Sequence, residues 1–239
     1  MTDSAARPPL PPPEGMRVPT QERARRTREA LVRAGEREFS ERGYAAATSR
    51  SIAGRAGVAT GSFYQYFRDK DGLLREIAER RLARIHELAV GGLEREPGRP
   101  ARPARTGETG AWGRRLMRRM AEAVLAYHRD DPRLHAVLSE RRHADPELDA
   151  LTGAAERALV GRIARLLEGL GAPGDPTATA FVLFGMVEGA VHAHVLGARM
   201  TTDDRLVEAL ADALVRVALP LPDAPPPRSR GRRPRPSSP

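Results

Sequence analysis

Residues 48–74, TSRSIAGRAGVATGSFYQYFRDKDGLL, constrain the fold more than any other stretch of the chain. They read as a short helix, a tight turn at Ala56, Gly57 and Val58, a second short helix, and the capped start of a longer one. Ile52, Ala53, Ala56, Val58, Phe63 and Phe67 fall where so compact a unit must bury apolar contacts. Thr60, Gly61, Ser62, Tyr64, Gln65, Tyr66 and Lys70 are left over. They are small, hydroxylated, amidic or cationic, the chemistries that reach phosphates and base edges. The pattern predicts a helix-turn-helix reader of double-stranded DNA.

The pattern around this unit is helical throughout, so the expected fold class is all-α. Thr20 is placed to cap a helix running to about Arg42, with Gly43 ending it and Leu31, Ala34, Gly35 and Phe39 as its buried stripe. Arg23, Arg25, Arg26 and Arg28 near its start suit either a DNA backbone or a solvated face. Thr48 caps a second helix, a third is expected over about residues 60–67, and Asp69 caps a fourth. Leu73, Leu74, Ile77, Ala78, Leu82, Ile85 and Ala89 mark one apolar face of that fourth helix down to about Val90. It is too long to serve the DNA-reading unit alone, which makes it the expected mechanical link to the second half of the chain.

Residues 91–110 carry Gly and Pro without apolar periodicity and read as a mobile loop. Helical patterning then resumes from Ala111, with further helices starting near Pro132 and Pro146, and GAPGDP at 171–176 is a clear break. Residues 176–199 hold only Glu188 and Arg199 as charged groups. Thr201 and Asp204 have capping-box spacing for a last helix striped by Leu206, Leu210, Leu214 and Val217. The expected organisation is a disordered arm at 1–19, a DNA-binding domain at 20–75, a helical domain at 76–219, and a disordered basic tail at 220–239.

Charge sharpens this division. The net charge is +9, and residues 21–90 carry +5 of it, 111–219 carry −1, and the last 20 residues carry +4. A basic amino-terminal half beside a near-neutral one suits a polyanion surface in the first and another task in the second, although solvated helix faces would look the same. RGRRP at 230–234 loosely resembles a minor-groove-binding segment and would add non-specific DNA affinity. Cysteine is absent, so disulfides and thiol catalysis are excluded. No uninterrupted apolar run approaches ~20 residues, so no membrane span is expected, and a cytoplasmic location is the default.

Residues 43–74 resemble the amino-terminal domain of the tetracycline-repressor (TetR) family of bacterial regulators. GYAAATSRSIAGRAGV followed by GSFYQYFRDKDGLL carries the resemblance, which extends over roughly residues 22–75. It implies that Thr48 and Arg50 brace against the DNA backbone and that Thr60, Gly61, Ser62 and Gln65 face the major groove. Tyr64 and Tyr66 would reach phosphates, as would Lys70, the only lysine in the chain, from a helix N-terminus. Four positions depart from the usual pattern: Glu38 for an aliphatic residue, Ser49 for an apolar one, Ala59 for a Ser cap, and Tyr66 for His. The family further implies a homodimer on a palindromic operator, acting most often as a repressor and released by a small-molecule effector.

In the second domain, Trp112, Met117, Met120, Tyr127, His128, Phe181 and Phe184 are the expected effector pocket, with plain core as the competing reading. Phe184, Val187, Val191, Val195, Leu206, Leu210 and Leu214 are the expected dimer interface. His192 and His194 are two apart and so point to different faces of one helix. His128, His135 and His143 match no two-ligand spacing on one helix, and no HExxH occurs, so no metal and no cofactor are expected. The motifs GxxxxGK[ST], GxSxG and GxGxxG are likewise missing, and no enzyme activity is expected. A nucleic-acid-binding protein without sequence preference remains the alternative.

Overall fold

The computed structural model describes residues 20–92 and 106–218, and among them every regular element is a helix. In chain order these are α1 Thr20–Ala46, α2 Ser49–Arg55, α3 Thr60–Phe63 and α4 Lys70–His86, which runs on through a π-helical turn, Glu87–Gly91. The remaining helices are α5 Thr106–Asp130, α6 Pro132–Arg142, α7 Pro146–Leu170, α8 Pro176–Leu196 and α9 Asp203–Ala218. The expected arm at 1–19, most of the expected loop at 91–110, and the tail with RGRRP lie outside the described residues. Helix reaches into both ends of that loop, through Gly92 on one side and from Thr106 on the other.

Local chemistry sets the helix boundaries. Gly43 adopts φ 74° inside the last turns of α1, a conformation glycine takes without a steric cost. Thr48 and Ser51 form a reciprocal capping box at α2, each side chain bonded to the other's backbone N–H. Asp69, Asp131, Asp145 and Asp175 cap α4, α6, α7 and α8, the last three followed by proline at the first helical position.

Two further boundaries differ from expectation. At the last helix the cap is Thr202, not Thr201, its Oγ1 accepting from Arg205 N–H at 3.4 Å ahead of Asp203. The third helix is a single α turn, Thr60–Phe63, continued by tighter turns in which Gln65 N–H bonds Ser62 O at 3.3 Å and Tyr66 N–H bonds Phe63 O at 3.0 Å. Ala59 supplies no side-chain cap, and the unit is held instead by Phe63 and Phe67, both buried with ring centroids 5.7 Å apart.

The buried side chains form two clusters. The first joins α1–α4 through Leu31, Phe39, Ile52, Phe63, Leu73 and Ile77, and it also takes in Leu134 and Val137 of α6 and Leu148 of α7. Helices α1 and α4 approach so closely that a Cβ on Gly35 would lie 2.6 Å from Leu73 Cδ2. The second cluster joins α5, α7, α8 and α9 through residues such as Val124, Leu167, Leu183 and Leu210. The expected division after residue 75 therefore cuts through packed core, because the first cluster continues to Ala78 and is completed by α6 and α7.

Helix α8 has the length and composition to cross a membrane, with mean hydropathy 1.4 in its most apolar window, although small and polar residues interrupt its apolar run. Here it lies against α7 and also touches α5 and α9. Only 22% of that window is buried, so one apolar face remains without a partner in the chain.

Candidate nucleic-acid interface and effector cavity

The first cluster positions the helix-turn-helix unit through polar ties as well as packing. Arg55 Nε donates to Glu38 Oε1 at 2.7 Å, and its two terminal nitrogens hold Glu41 at 2.9 and 2.6 Å. Glu38 is 2% exposed, so its departure from an aliphatic residue is matched by a guanidinium arriving from α2. Lys70 Nζ donates to the carbonyls of Tyr44 (2.8 Å) and Ala47 (3.0 Å) and sits 4.1 Å from the Tyr44 ring centroid. It thus fastens the end of α1 to the start of α4, using two of its three N–H groups on those carbonyls. Burial first, and then its hydrogen bond to Asp71, push the Tyr44 phenol up to about 12.

Of the residues expected to face DNA, Thr48, Arg50, Gly61, Tyr64 and Gln65 are exposed, and Thr60, Ser62, Tyr66 and Lys70 are half-buried. Tyr64 is 58% exposed, whereas Tyr66 leans on the first cluster. Among the four arginines near the start of α1, Arg26 pairs with Glu22 and Arg28 with Glu76. The Arg23 and Arg25 side chains are exposed, with no side-chain hydrogen bond or ion pair among the described residues.

Two cavities, of about 130 and 100 Å³, lie where α4 meets the second domain. Tyr127, His128 and Phe184 line the first, and Met117, Met120 and Phe184 the second. Trp112 lines neither. Phe181, 66% exposed, also lines neither, because it sits on the outer face of α8, and both expectations are corrected. The first cavity also contains His135 and His192, together with polar groups for which the sequence pattern predicts no place there: Arg81, Arg142, Glu156 and Glu188. Arg142 is paired with Glu156 and Asp149, while one terminal nitrogen of Arg81 is buried without a hydrogen-bond partner.

His128, His135 and His192 meet here, from α5, α6 and α8. No spacing rule along one helix detects a cluster drawn from three helices. Burial, aided by the two neighbouring imidazoles, pushes His135 down to about 3, and burial lowers His128 and His192 as well. His194 turns away, as the two-residue offset requires, and its Nε2 lies 2.9 Å from Asp203 Oδ1.

The expected dimer face is corrected in part. Val191 is 0% exposed, Leu210 6% and Leu214 1%, all within the chain's own second core, since the apolar stripe of α9 packs on α5. Phe184 lines the cavities. Val187, Val195 and Leu206 are partly buried against the second cluster. The outward apolar face of α8 is instead Phe181, Val182, Gly185, Gly189, Ala193 and Leu196.

Residues 31–77 match the family model described as bacterial regulatory proteins, tetR family, and residues 114–217 match that of the tetracyclin repressor-like C-terminal domain. No functionally curated protein matches. Among solved structures, a candidate TetR-family transcriptional regulator from Mesorhizobium loti is 20% identical with TM-score 0.60, covering 82% of this chain and 98% of that one. The fatty acid degradation regulator FadR from Bacillus halodurans is 18% identical with TM-score 0.61, covering 80% and 95%. A regulator of the TerR/AcrR family from Aquifex aeolicus is 18% identical with TM-score 0.57, covering 79% and 97%. At these identities the structures share the fold.

Proposed function

This chain belongs to the tetR family of bacterial regulatory proteins, and we propose that it is a ligand-responsive repressor that binds a palindromic operator as a homodimer. The observation that carries the reading is the division of labour in the helix-turn-helix unit. Phe63 and Phe67 are buried, while Thr48, Arg50, Gly61, Tyr64 and Gln65 are turned to solvent. Backbone bracing then falls to Thr48, Arg50, Tyr64, Tyr66 and Lys70. Base reading falls to Thr60, Gly61, Ser62 and Gln65.

Two copies would pair through the outward face of α8, whose Gly185, Gly189 and Ala193 allow close helix approach between Val182 and Leu196. The effector would occupy the cavities between α4 and α5–α8. Their Leu, Met and Phe walls with a few inward polar groups suit a largely apolar molecule with a polar end near Arg81 and Glu188. Binding there would shift α4 and release DNA.

Gel-shift competition tests the reading. A complex with DNA from upstream of its own gene should survive excess random-sequence DNA and lose that preference in Gln65→Ala, while Arg50→Ala should weaken all sequences alike. Equal displacement by random-sequence DNA and by unlabelled upstream DNA would instead establish the non-specific alternative.

A further inference from the structure

We propose that His128, His135 and His192, joined by the Glu188 carboxylate, bind a divalent transition-metal ion of the zinc, cobalt or nickel type at the junction of α5, α6 and α8. One ring nitrogen of each histidine lies within 4.8 Å of the other two, and the ring centroids are 4.7, 5.3 and 4.4 Å apart. Around a tetrahedral ion with bonds of about 2.1 Å, donors stand roughly 3.4 Å apart. Small rotations of the imidazoles about their side-chain bonds bring the set within bonding range.

The protonation pattern fits ligation. His128 Nδ1 lies 2.8 Å from the Val124 carbonyl, which has no proton to give, so the hydrogen is on Nδ1 and the lone pair is on Nε2. This is the support through which proteins orient metal-binding imidazoles. His135 and His192 direct their Nε2 atoms at each other in direct contact. Without a cation, at most one of these two nitrogens can donate to the other, whereas a shared ion engages both lone pairs. Glu188 Oε1, 3.1 Å from His192 Nε2 and one helical turn before it, stands at the edge of the three nitrogens, from where a side-chain rotation would bring it in as the fourth donor.

That donor set selects the metal class. Imidazole-rich tetrahedral sites suit zinc and its neighbours, while magnesium and calcium require oxygen donors. Arg142 is neutralised by Glu156 and Asp149, while Arg81, 4.8 Å from the Tyr127 ring centroid, stays a cation beside the site, whose repulsion of an ion the Glu188 carboxylate would offset. The ligands come from three helices, and α6 carries His135 among them while placing Leu134 and Val137 in the helix-turn-helix core. An ion would therefore fix α6 relative to α5 and α8. Its effect on DNA affinity rests on the repressor reading, whereas the metal site itself does not.

The test is a titration of the untagged full chain with Co²⁺, followed by visible absorption, and with Zn²⁺, followed by calorimetry. One ion per chain with an intense tetrahedral cobalt band is expected. His135→Ala and His192→Gln should each lower affinity at least tenfold, while His143→Ala, a histidine outside the cluster, should leave it unchanged. Absence of the band, or equal loss in His143→Ala, overturns the site. Should the variants fail to fold, the wild-type chain decides: saturating Zn²⁺ must raise its melting temperature reversibly with a chelator, and no rise refutes the proposal. A gel shift with and without Zn²⁺ then separates the two claims. Unchanged operator binding by the metal-loaded chain overturns the regulatory coupling, and failure to bind DNA in either state overturns the repressor reading alone.

Discussion

Replacing Arg55 by Ala should destabilise the chain far more than replacing Glu38 by Leu, although the two side chains form one ion pair. Arg55→Ala strands a carboxylate that is 2% exposed, with Arg42 3.7 Å away as its nearest remaining cation. Breaking a buried pair from one side costs about 3–5 kcal/mol, and the partial help from Arg42 places this case near 3. Glu38→Leu leaves Arg55 both hydrogen bonds to Glu41 and access to water, with 27% of its side chain exposed. It also removes Glu38 Oε2, which is buried with no hydrogen-bond partner. Burial of the leucine offsets the lost ion pair by about 1.5–3 kcal/mol, so the net change should stay within about 1 kcal/mol. In the Glu38→Leu background, Arg55→Ala should then cost no more than about 1 kcal/mol, giving a coupling energy near 2. Urea unfolding followed by far-ultraviolet circular dichroism measures all four forms, and Trp112 fluorescence, which reports on α5, checks that the domains unfold together. A loss above about 2 kcal/mol in Glu38→Leu would refute the reasoning, since the pair would then be a net stabiliser.

Two further outcomes rest on the contacts between elements. Burial pushes the Asp145 carboxyl up, but the Arg75 hydrogen bonds and the Leu148 and Glu147 N–H groups outweigh it and hold the group below its ordinary 3.8. A carboxyl depressed on folding stabilises the protein above its unfolded pKa, and that contribution is lost as pH falls through the folded value. The melting-temperature difference between wild type and Asp145→Asn should therefore be constant from about pH 7 to about 4.5 and narrow below about pH 4. On the outer face of α8, a Cβ at Gly189 meets nothing within 4 Å among the described residues, so in Gly189→Glu the fold should persist while the species in analytical ultracentrifugation changes from dimer to monomer. A dimer of unchanged strength would exclude this face.

The helix-turn-helix unit was legible because its chemistry is local. Capping residues, turn glycines and a short apolar period all act within a few residues, and Thr48, Asp69, Phe63 and Phe67 take the places those rules assign. What stayed hidden depends on which elements become neighbours. Leu210 and Leu214 form an apolar stripe whether they meet α5 or a second chain, so periodicity could not choose between intrachain core and interface. The histidine cluster escaped for the same reason, since its members lie on three helices, with His135 and His192 57 residues apart. Glu38 looked anomalous only because its partner Arg55 lies 17 residues on, across a turn.

The same long-range contacts bear on how the second domain reaches the DNA-binding unit. Helix α4 was the expected transmitter, and Ala78 does both line the first cavity and belong to the first core. Yet α6 offers a parallel path. Its Leu134 and Val137 are core to the DNA-binding unit, and its Arg141 lies 4.0 Å from the Tyr44 ring centroid, opposite a phenol bonded to Asp71. Tyr44 also lies against Lys70, so Arg141 touches the same ring as the ammonium that fastens α1 to α4. Arg141→Met keeps much of the side-chain volume and removes the charge. If α6 braces the reading head, amide hydrogen exchange should quicken across residues 60–70 while α8 keeps its protection, because a segment opens more often once the packing that holds it is weakened. Ala78→Gly, costing about 1 kcal/mol of helix propensity in α4, should instead quicken exchange along α4 itself. Unchanged exchange at 60–70 in Arg141→Met would remove α6 as a path and leave α4, with Leu148 of α7 beside it, between the cavity and the DNA-binding unit.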